Sequence, residues 1–282
     1  YGELSMKVID GKTLAQNLRK NIANEVKQYS RPPGLAVLLV GDDQASQVYV
    51  RNKSRACVEV GFYSDQIHKS ANITEEELLS EVYRLNENPT IDGILVQLPL
   101  PSHIDSNKII EAIIPEKDVD GFSSENVGKL SQNKPFISPC TPKGIMKMLA
   151  SIKCDLRGKD CVIIGASNIV GRPMAMELLN AGATVQVCHK ETKDITQKSK
   201  SADVIIAAAG VANLVKSDWV KEGAVIIDVG INRLEDGTLA GDVDFDDVKD
   251  KVSAISPVPG GVGPMTIAVL LENTLTAYQA RL

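Results

Sequence analysis

Histidine is scarce in this chain of 282 residues: three copies, at positions 68, 103 and 189. They lie too far apart for any metal-ligand spacing, so no resident metal is expected. Cysteine is little better represented, with five at 57, 140, 154, 161 and 188. The number is odd and no C-x-x-C occurs, which excludes a disulfide framework or a zinc ribbon and suits a reducing cytoplasm. Positive charge is not in excess. A net charge of -5 speaks against a nucleic-acid partner, which calls for a basic face, and gives no help in docking to an anionic membrane. Long apolar runs are missing too. Leu35–Val40 is of strand length, far short of the ~20 residues that span a bilayer. No secretory signal, internal repeat or low-complexity tract is visible. The opening Tyr1-Gly2-Glu3-Leu4-Ser5 before Met6 reads as a fusion remnant and is set outside the fold.

What remains is an ordinary globular composition, 43% hydrophobic and 24% charged, long enough for two domains. Leu14, Leu18, Ile22 and Val26 recur every four residues and predict an amphipathic helix. Leu35–Val40 reads as a buried parallel strand. A helix is expected over 45–60, stopped by Gly61. Thr74 to Glu77 forms a capping box for a helix whose apolar face is Leu78, Leu79, Val82 and Leu85. A strand over 91–98 ends at Pro99 and Pro101. Alternation resumes after Pro142, with strands over 161–164, 184–188, 203–207 and 224–229, and a helix over 173–180. A last apolar helix is expected over 264–280. The pattern is α/β, with parallel sheets covered on both faces. The stretch Ser123–Pro142 has few apolar runs and many turn formers, and is the expected hinge.

Gly165-Ala166-Ser167-Asn168-Ile169-Val170-Gly171 joins a strand to a helix. Glycines there let backbone approach a phosphate, and a helix N-terminus offers free N–H groups. The pattern is G-x-S-x-x-x-G, so a turn that binds nothing remains an alternative. The next strand runs into His189-Lys190 rather than into an acid. A carboxylate at that place would bond a ribose hydroxyl and repel a 2′-phosphate, so Lys190 favours NADP over NAD. Arg172 is a second candidate phosphate contact. Either cation, taken alone, could be a solvated surface residue.

In the first half, Tyr49 and Lys53 are four apart and share one helix face. A ring beside an amine suits a flat heteroaromatic substrate that exchanges protons; a core tyrosine with a snorkelling lysine is the plainer reading. Gln97 ends a parallel strand, where α/β proteins bind ligands, or else faces water at an edge. Asp118 and Asp120 in Lys117-Asp118-Val119-Asp120-Gly121 point one way if the segment is extended, or form an ordinary Asx turn. Pro257-Val258-Pro259-Gly260-Gly261-Val262-Gly263-Pro264 is a shaped loop, with Thr266 just beyond it. It could equally be a stiff connector.

In this order the motifs resemble one family, the bifunctional methylenetetrahydrofolate dehydrogenase/methenyltetrahydrofolate cyclohydrolases. The likeness rests on Tyr49–Lys53, Asp92–Pro101, Pro115–Gly121, Pro139–Pro142, Gly165–Pro173 and Ile255–Thr266, and runs from Val8 to Tyr278. The resemblance implies a folate-binding α/β domain over 6–141 plus 265–282, a Rossmann-like NADP domain over 142–264, a cleft between them, and a homodimer. It implies that Lys53 is the key catalytic residue, that Gln97 tunes it, that Tyr49 stacks on the folate and that Asp120 anchors the pterin. Val96, Gln97, Leu98, Pro259, Gly260, Gly263 and Thr266 would line the folate site. Gly165, Ala166, Ser167, Lys190 and Ile231 would contact NADP. Asn168 and Arg172 stay unassigned. Either activity alone, a dehydrogenase for a small hydroxy or amino acid, and a binding module without chemistry are the rival readings.

Overall fold

The computed structural model describes residues 5–282, so Tyr1–Leu4 of the opening segment lie outside the described residues. The first half carries β1 (Lys7–Val8), α1 (Gly11–Val26), β2 (Gly34–Val40), α2 (Gln44–Glu59), β3 (Tyr63–Lys69), α3 (Glu75–Glu87), β4 (Gly93–Val96), α4 (Ser106–Ala112) and α5 (Ser124–Ser131). The second carries α6 (Cys140–Ser151), β5 (Asp160–Ile164), α7 (Gly171–Asn180), β6 (Thr184–Cys188), α8 (Ile195–Lys200), β7 (Val204–Ala207), β8 (Val225–Asp228), β9 (Asn232–Arg233), β10 (Leu239–Ala240), α9 (Phe245–Val248), β11 (Ala254–Ile255) and α10 (Val262–Gln279). The chain divides into two compact units. One joins the residues up to Ala15 with Thr141–Thr266; the other joins Gln16–Cys140 with Ile267–Leu282.

The second of these units is built on a parallel three-stranded sheet in the order β3-β2-β4. Its middle strand, β2, is buried at all seven positions, as a strand covered on both faces must be. The capping box of α3 is formed, with Glu77 N–H donating to Thr74 Oγ1 and Thr74 N–H to Glu77 Oε2. Leu78, Val82 and Leu85 of that helix pack on Ala36, Leu38 and Ile94. The strand expected over 91–98 is shorter, Gly93–Val96. Asp92, fully buried, instead accepts from Arg31 at 2.8 and 3.0 Å and from Arg281 at 2.9 Å. With Tyr278 Oη donating to Arg31 O at 2.8 Å, this network seats the end of α10. The stretch read as a hinge contains α5, capped by Ser123.

The other unit holds a six-stranded parallel sheet in the order β1-β11-β8-β7-β5-β6. Counted from β5, five of its strands follow the doubly wound order 2-1-3-4-5, whose ligand crevice opens at the carboxyl ends of the first and third strands. Those strands are β5 and β7. The sequence reading groups residues 6–141 together, yet β1 pairs with β11 (Lys7↔Ala254, Val8↔Ile255). A strand of two residues shows no periodicity to read. The peptides Leu98–Pro99 and Val258–Pro259 are cis. Among the described residues no helix is long and apolar enough to cross a membrane.

Candidate active site

In the unit that carries β2, helix α2 and the end of β4 bring two polar side chains together. Lys53, half-buried, donates from Nζ to Gln97 Oε1 at 2.9 Å. Gln97 stands one residue past β4, and its N–H donates to Leu38 O at 2.9 Å, which prolongs the β2 ladder and fixes where its side chain starts. Tyr49 lies one turn before Lys53 on α2 with about half of its surface exposed, at 49%. An open ring beside a held amine leaves a flat face for a ligand.

The two acids of the 117–121 segment take different work. Asp118 is buried and accepts from Gly121 N at 3.1 Å, Ser123 N at 2.9 Å and Asn126 Nδ2 at 2.9 Å. It is the turn-forming acid. Asp120 has no hydrogen-bond partner among the described residues. Burial raises its carboxyl to about 6, against the pull of the Lys53 charge and with a smaller push from Asp118. Val96, Leu98, Asp120 and Phe122 line one small pocket. The unit thus gathers Lys53, Gln97, Val96, Leu98 and Asp120 around a carboxyl poised between its two protonation states.

In the other unit the Gly165–Gly171 turn leaves β5 beside β7. Gly165 has φ of +127°, and a Cβ there would lie 2.0 Å from Ala208 O. A Cβ on Gly171 would lie 2.0 Å from Gly165 O. No side chain fits at either place. Ser167 Oγ accepts from Val170 N at 3.1 Å, and α7 begins at Gly171 without a side-chain cap. An uncapped helix start behind a glycine turn is an anion cradle. Ala166 and Ser167 form its rim. Arg172 donates from Nε to Ala166 O at 3.1 Å, so it braces the turn. Lys190 is 91% exposed, 4.0 Å from Glu191. These features fit the phosphates of a dinucleotide.

Ile231, Leu239, Pro259, Gly260 and Gly263 line a cavity of about 70 Å³ in the same unit. Thr266 Oγ1 lies 2.9 Å from Thr141 Oγ1 and donates to Val262 O at 3.2 Å. Pro259, Gly260, Gly263 and Thr266 therefore belong to a different unit from Lys53 and Asp120.

Two buried acids here escape the sequence reading. Asp228 accepts from Gly230, Asp242 and Val243 N–H groups at 3.0, 2.9 and 3.0 Å. Burial raises it to about 6 despite those bonds. Asp242 accepts from Ala209 and Gly210 N–H and from Asn232 Nδ2. They set the loops beside Ile231. An acid ending an apolar strand, as in Val225–Asp228, was the available signal. Lys117 has a role that its motif does not reveal. It is 2% exposed and donates to Leu85, Asn86 and Asn88 carbonyls at the end of α3, at 3.1, 2.8 and 2.9 Å. Burial, with Arg281 nearby, lowers its amine to about 8. Among the described residues no cluster of three or more His, Cys, Asp or Glu could hold a metal.

Comparison with known proteins finds relatives along the whole chain. The family model for the tetrahydrofolate dehydrogenase/cyclohydrolase catalytic domain matches residues 9–120, and that for the NAD(P)-binding domain matches residues 139–282. A bifunctional protein FolD from Vesicomyosocius okutanii subsp. Calyptogena okutanii is 62% identical, over 98% of this chain and 100% of its own. The crystal structure of the bifunctional enzyme FolD, a methylenetetrahydrofolate dehydrogenase/cyclohydrolase from Campylobacter jejuni, is 54% identical. It superposes with a TM-score of 0.97 over 99% of this chain and 100% of that one. The Trypanosoma brucei enzyme, complexed with NADP cofactor and inhibitor, is 40% identical, with a TM-score of 0.94 over 98% of each chain.

Proposed function

The chain belongs to the tetrahydrofolate dehydrogenase/cyclohydrolase family, and on that premise we propose that it oxidises 5,10-methylenetetrahydrofolate to the 5,10-methenyl form with NADP, then hydrolyses that product to 10-formyltetrahydrofolate. The observation that carries the reading is the Lys53 Nζ to Gln97 Oε1 bond of 2.9 Å. It gives one amine a fixed address next to an exposed ring and an unpartnered carboxylate.

NADP, when bound, supplies the acceptor for the hydride that leaves the methylene carbon. The Gly165, Ala166 and Ser167 turn with Lys190 would hold its phosphates, and Ile231 would meet it in the same unit. In the unit that carries β2, Tyr49 stacks on the folate ring and Asp120 bonds the pterin ring nitrogen and amino group. Loss of hydride leaves a cationic methenyl carbon, open to attack by water. Water oxygen bonds that carbon, the carbon–N5 bond breaks, one of the two water protons passes to N5 and the other is released. Lys53 Nζ handles the proton that water gives up, and Gln97 keeps that amine aimed. Val96 and Leu98, beside Asp120 in the same unit, add folate contacts. No covalent nucleophile is needed, because orientation and proton transfer suffice for so electrophilic a carbon.

The same reading makes the protein a cytoplasmic homodimer. The odd, unpatterned cysteines support the compartment, and β3, an edge strand with Tyr63 48% exposed, supports self-association. Purified chain is mixed with methylenetetrahydrofolate and NADP, and NADPH and the methenyl intermediate are followed by absorbance. NADPH formed with little methenyl build-up is the expected result. Methenyl accumulating at the rate of NADPH leaves a dehydrogenase alone. No NADPH, and no NADH with NAD, leaves a binding module.

A further inference from the structure

Helix α10 runs apolar through Ile267–Leu271, and then places an amide in the core. Asn273 is 0% exposed. Its Nδ2 donates to Val119 O at 3.0 Å and to Ser138 O at 2.9 Å, and sits 3.6 Å from Cys140 Sγ. Cys140 Sγ also donates to Val119 O, at 3.4 Å. The carbonyl that receives both belongs to the residue immediately before Asp120. On the other side of Asp120, Gly121 has φ of +74°, and a Cβ there would lie 2.7 Å from Pro139 N and 2.8 Å from Ser138 C. The Asp120 backbone is therefore pressed against residues 138–139, and one amide staples the two segments together.

Asp120 needs such help. No donor among the described residues holds its carboxylate, so its aim depends on the main chain on either side. Lys117 pins the segment upstream to the end of α3, and Asp118 folds the turn downstream. Neither touches Val119 O. We propose that Asn273, 154 positions from Val119 in sequence, is a positioning residue that sets the substrate-anchoring carboxylate of Asp120 through the Val119 carbonyl. The assignment rests on Asp120 being the folate anchor. It gives the last helix of the chain a part in recognising the substrate.

The test uses the full chain in four forms: unaltered, Asn273→Ala, Asp120→Asn and the double variant. KM for methylenetetrahydrofolate and for NADP is measured in each. Asn273→Ala is expected to raise folate KM about tenfold, within the range that misplacing a substrate contact produces, and to leave NADP KM unchanged. In the Asp120→Asn background the same substitution should add nothing, because the group it positions is gone. A folate KM that stays put in Asn273→Ala, or rises by the same factor in both backgrounds, overturns the proposal and leaves Asn273 a packing residue. An unchanged folate KM in Asp120→Asn alone overturns the anchor reading and the proposal with it. Should Asn273→Ala not fold, Asn273→Leu, which keeps the branched shape without a donor, is judged by the same criteria.

Discussion

The turn at Gly165–Gly171 keeps its shape by leaving side chains out, whereas the loop at Lys117–Gly121 keeps its shape by burying them. In the first, two Cβ atoms would collide with backbone oxygens, and what is presented to a ligand is main-chain N–H. In the second, a buried ammonium, a buried carboxylate and a buried amide hold the five-residue loop that carries Asp120. The difference follows from the ligands each would meet. A phosphate keeps its charge across the working pH range, so fixed dipoles serve it well. A folate whose carbon passes from neutral to cationic and then takes up water needs groups that carry protons and can be tuned.

The comparison is broken most severely at Lys53. Lys53→Met should lower methenyl hydrolysis by about 10²- to 10⁴-fold, the usual weight of a positioned proton-transfer group. NADP binding, followed by nucleotide fluorescence quenching, should stay unchanged. Near-normal hydrolysis would remove Lys53 from the chemistry. The mirror image is Gly171→Ala. Its methyl would meet Gly165 O at 2.0 Å, a backbone overlap that costs about 1–3 kcal/mol. NADP affinity should drop by about ten- to a hundredfold, while hydrolysis of methenyltetrahydrofolate supplied directly persists. Loss of both activities together would mean that the two sites are not separable in this way.

Asp120→Asn sharpens the contrast between the acids of one loop. Folate KM should rise about tenfold, the worth of one hydrogen bond to a charged group. The carboxyl sits near 6 rather than 3.8, so the folded chain holds more protons than the unfolded chain between those values. Its contribution favours folding below about pH 3.8 and is lost as pH rises through 6. At pH 7 the ionised group therefore costs stability. Asp120→Asn should melt at a higher temperature than the unaltered chain at pH 7, and should lose the break near pH 6 in the folate kcat/KM profile. A lower melting temperature would place Asp120 among the structural acids, beside Asp118.

Much of this arrangement was legible because pattern and packing agree. β2 reads as a buried strand and is one; Thr74 and Glu77 read as a capping box and form it. β3 was invisible. Tyr63-Ser64-Asp65-Gln66-Ile67-His68-Lys69 lies at a sheet edge, where one face meets water and apolar periodicity fades. Spacing could not separate Asp118 from Asp120, since the choice is made by Ser123, Asn126 and Lys53. Nor could it connect Asn273 to Val119. An amide inside an apolar helix signals that something must satisfy it, but its partner is named only when the chain folds.

The mildest change tests the one side chain on which the glycine turn would depend for selectivity. Lys190 is almost fully exposed and its nearest acid, Glu191, is at the limit of an ion pair. An exposed pair of this kind is worth at most about 1 kcal/mol, or roughly fivefold in affinity. Lys190→Glu should therefore lower the preference for NADP over NAD by about fivefold and leave kcat with saturating NADP near its original value. The effect should shrink as salt is raised, because an exposed contact is screened within about 10 Å at 0.1 M ionic strength. If the NADP/NAD ratio holds at low salt, Lys190 is a bystander. Selectivity would then fall to Arg172, whose guanidinium already lies against Ala166 at the rim of the turn.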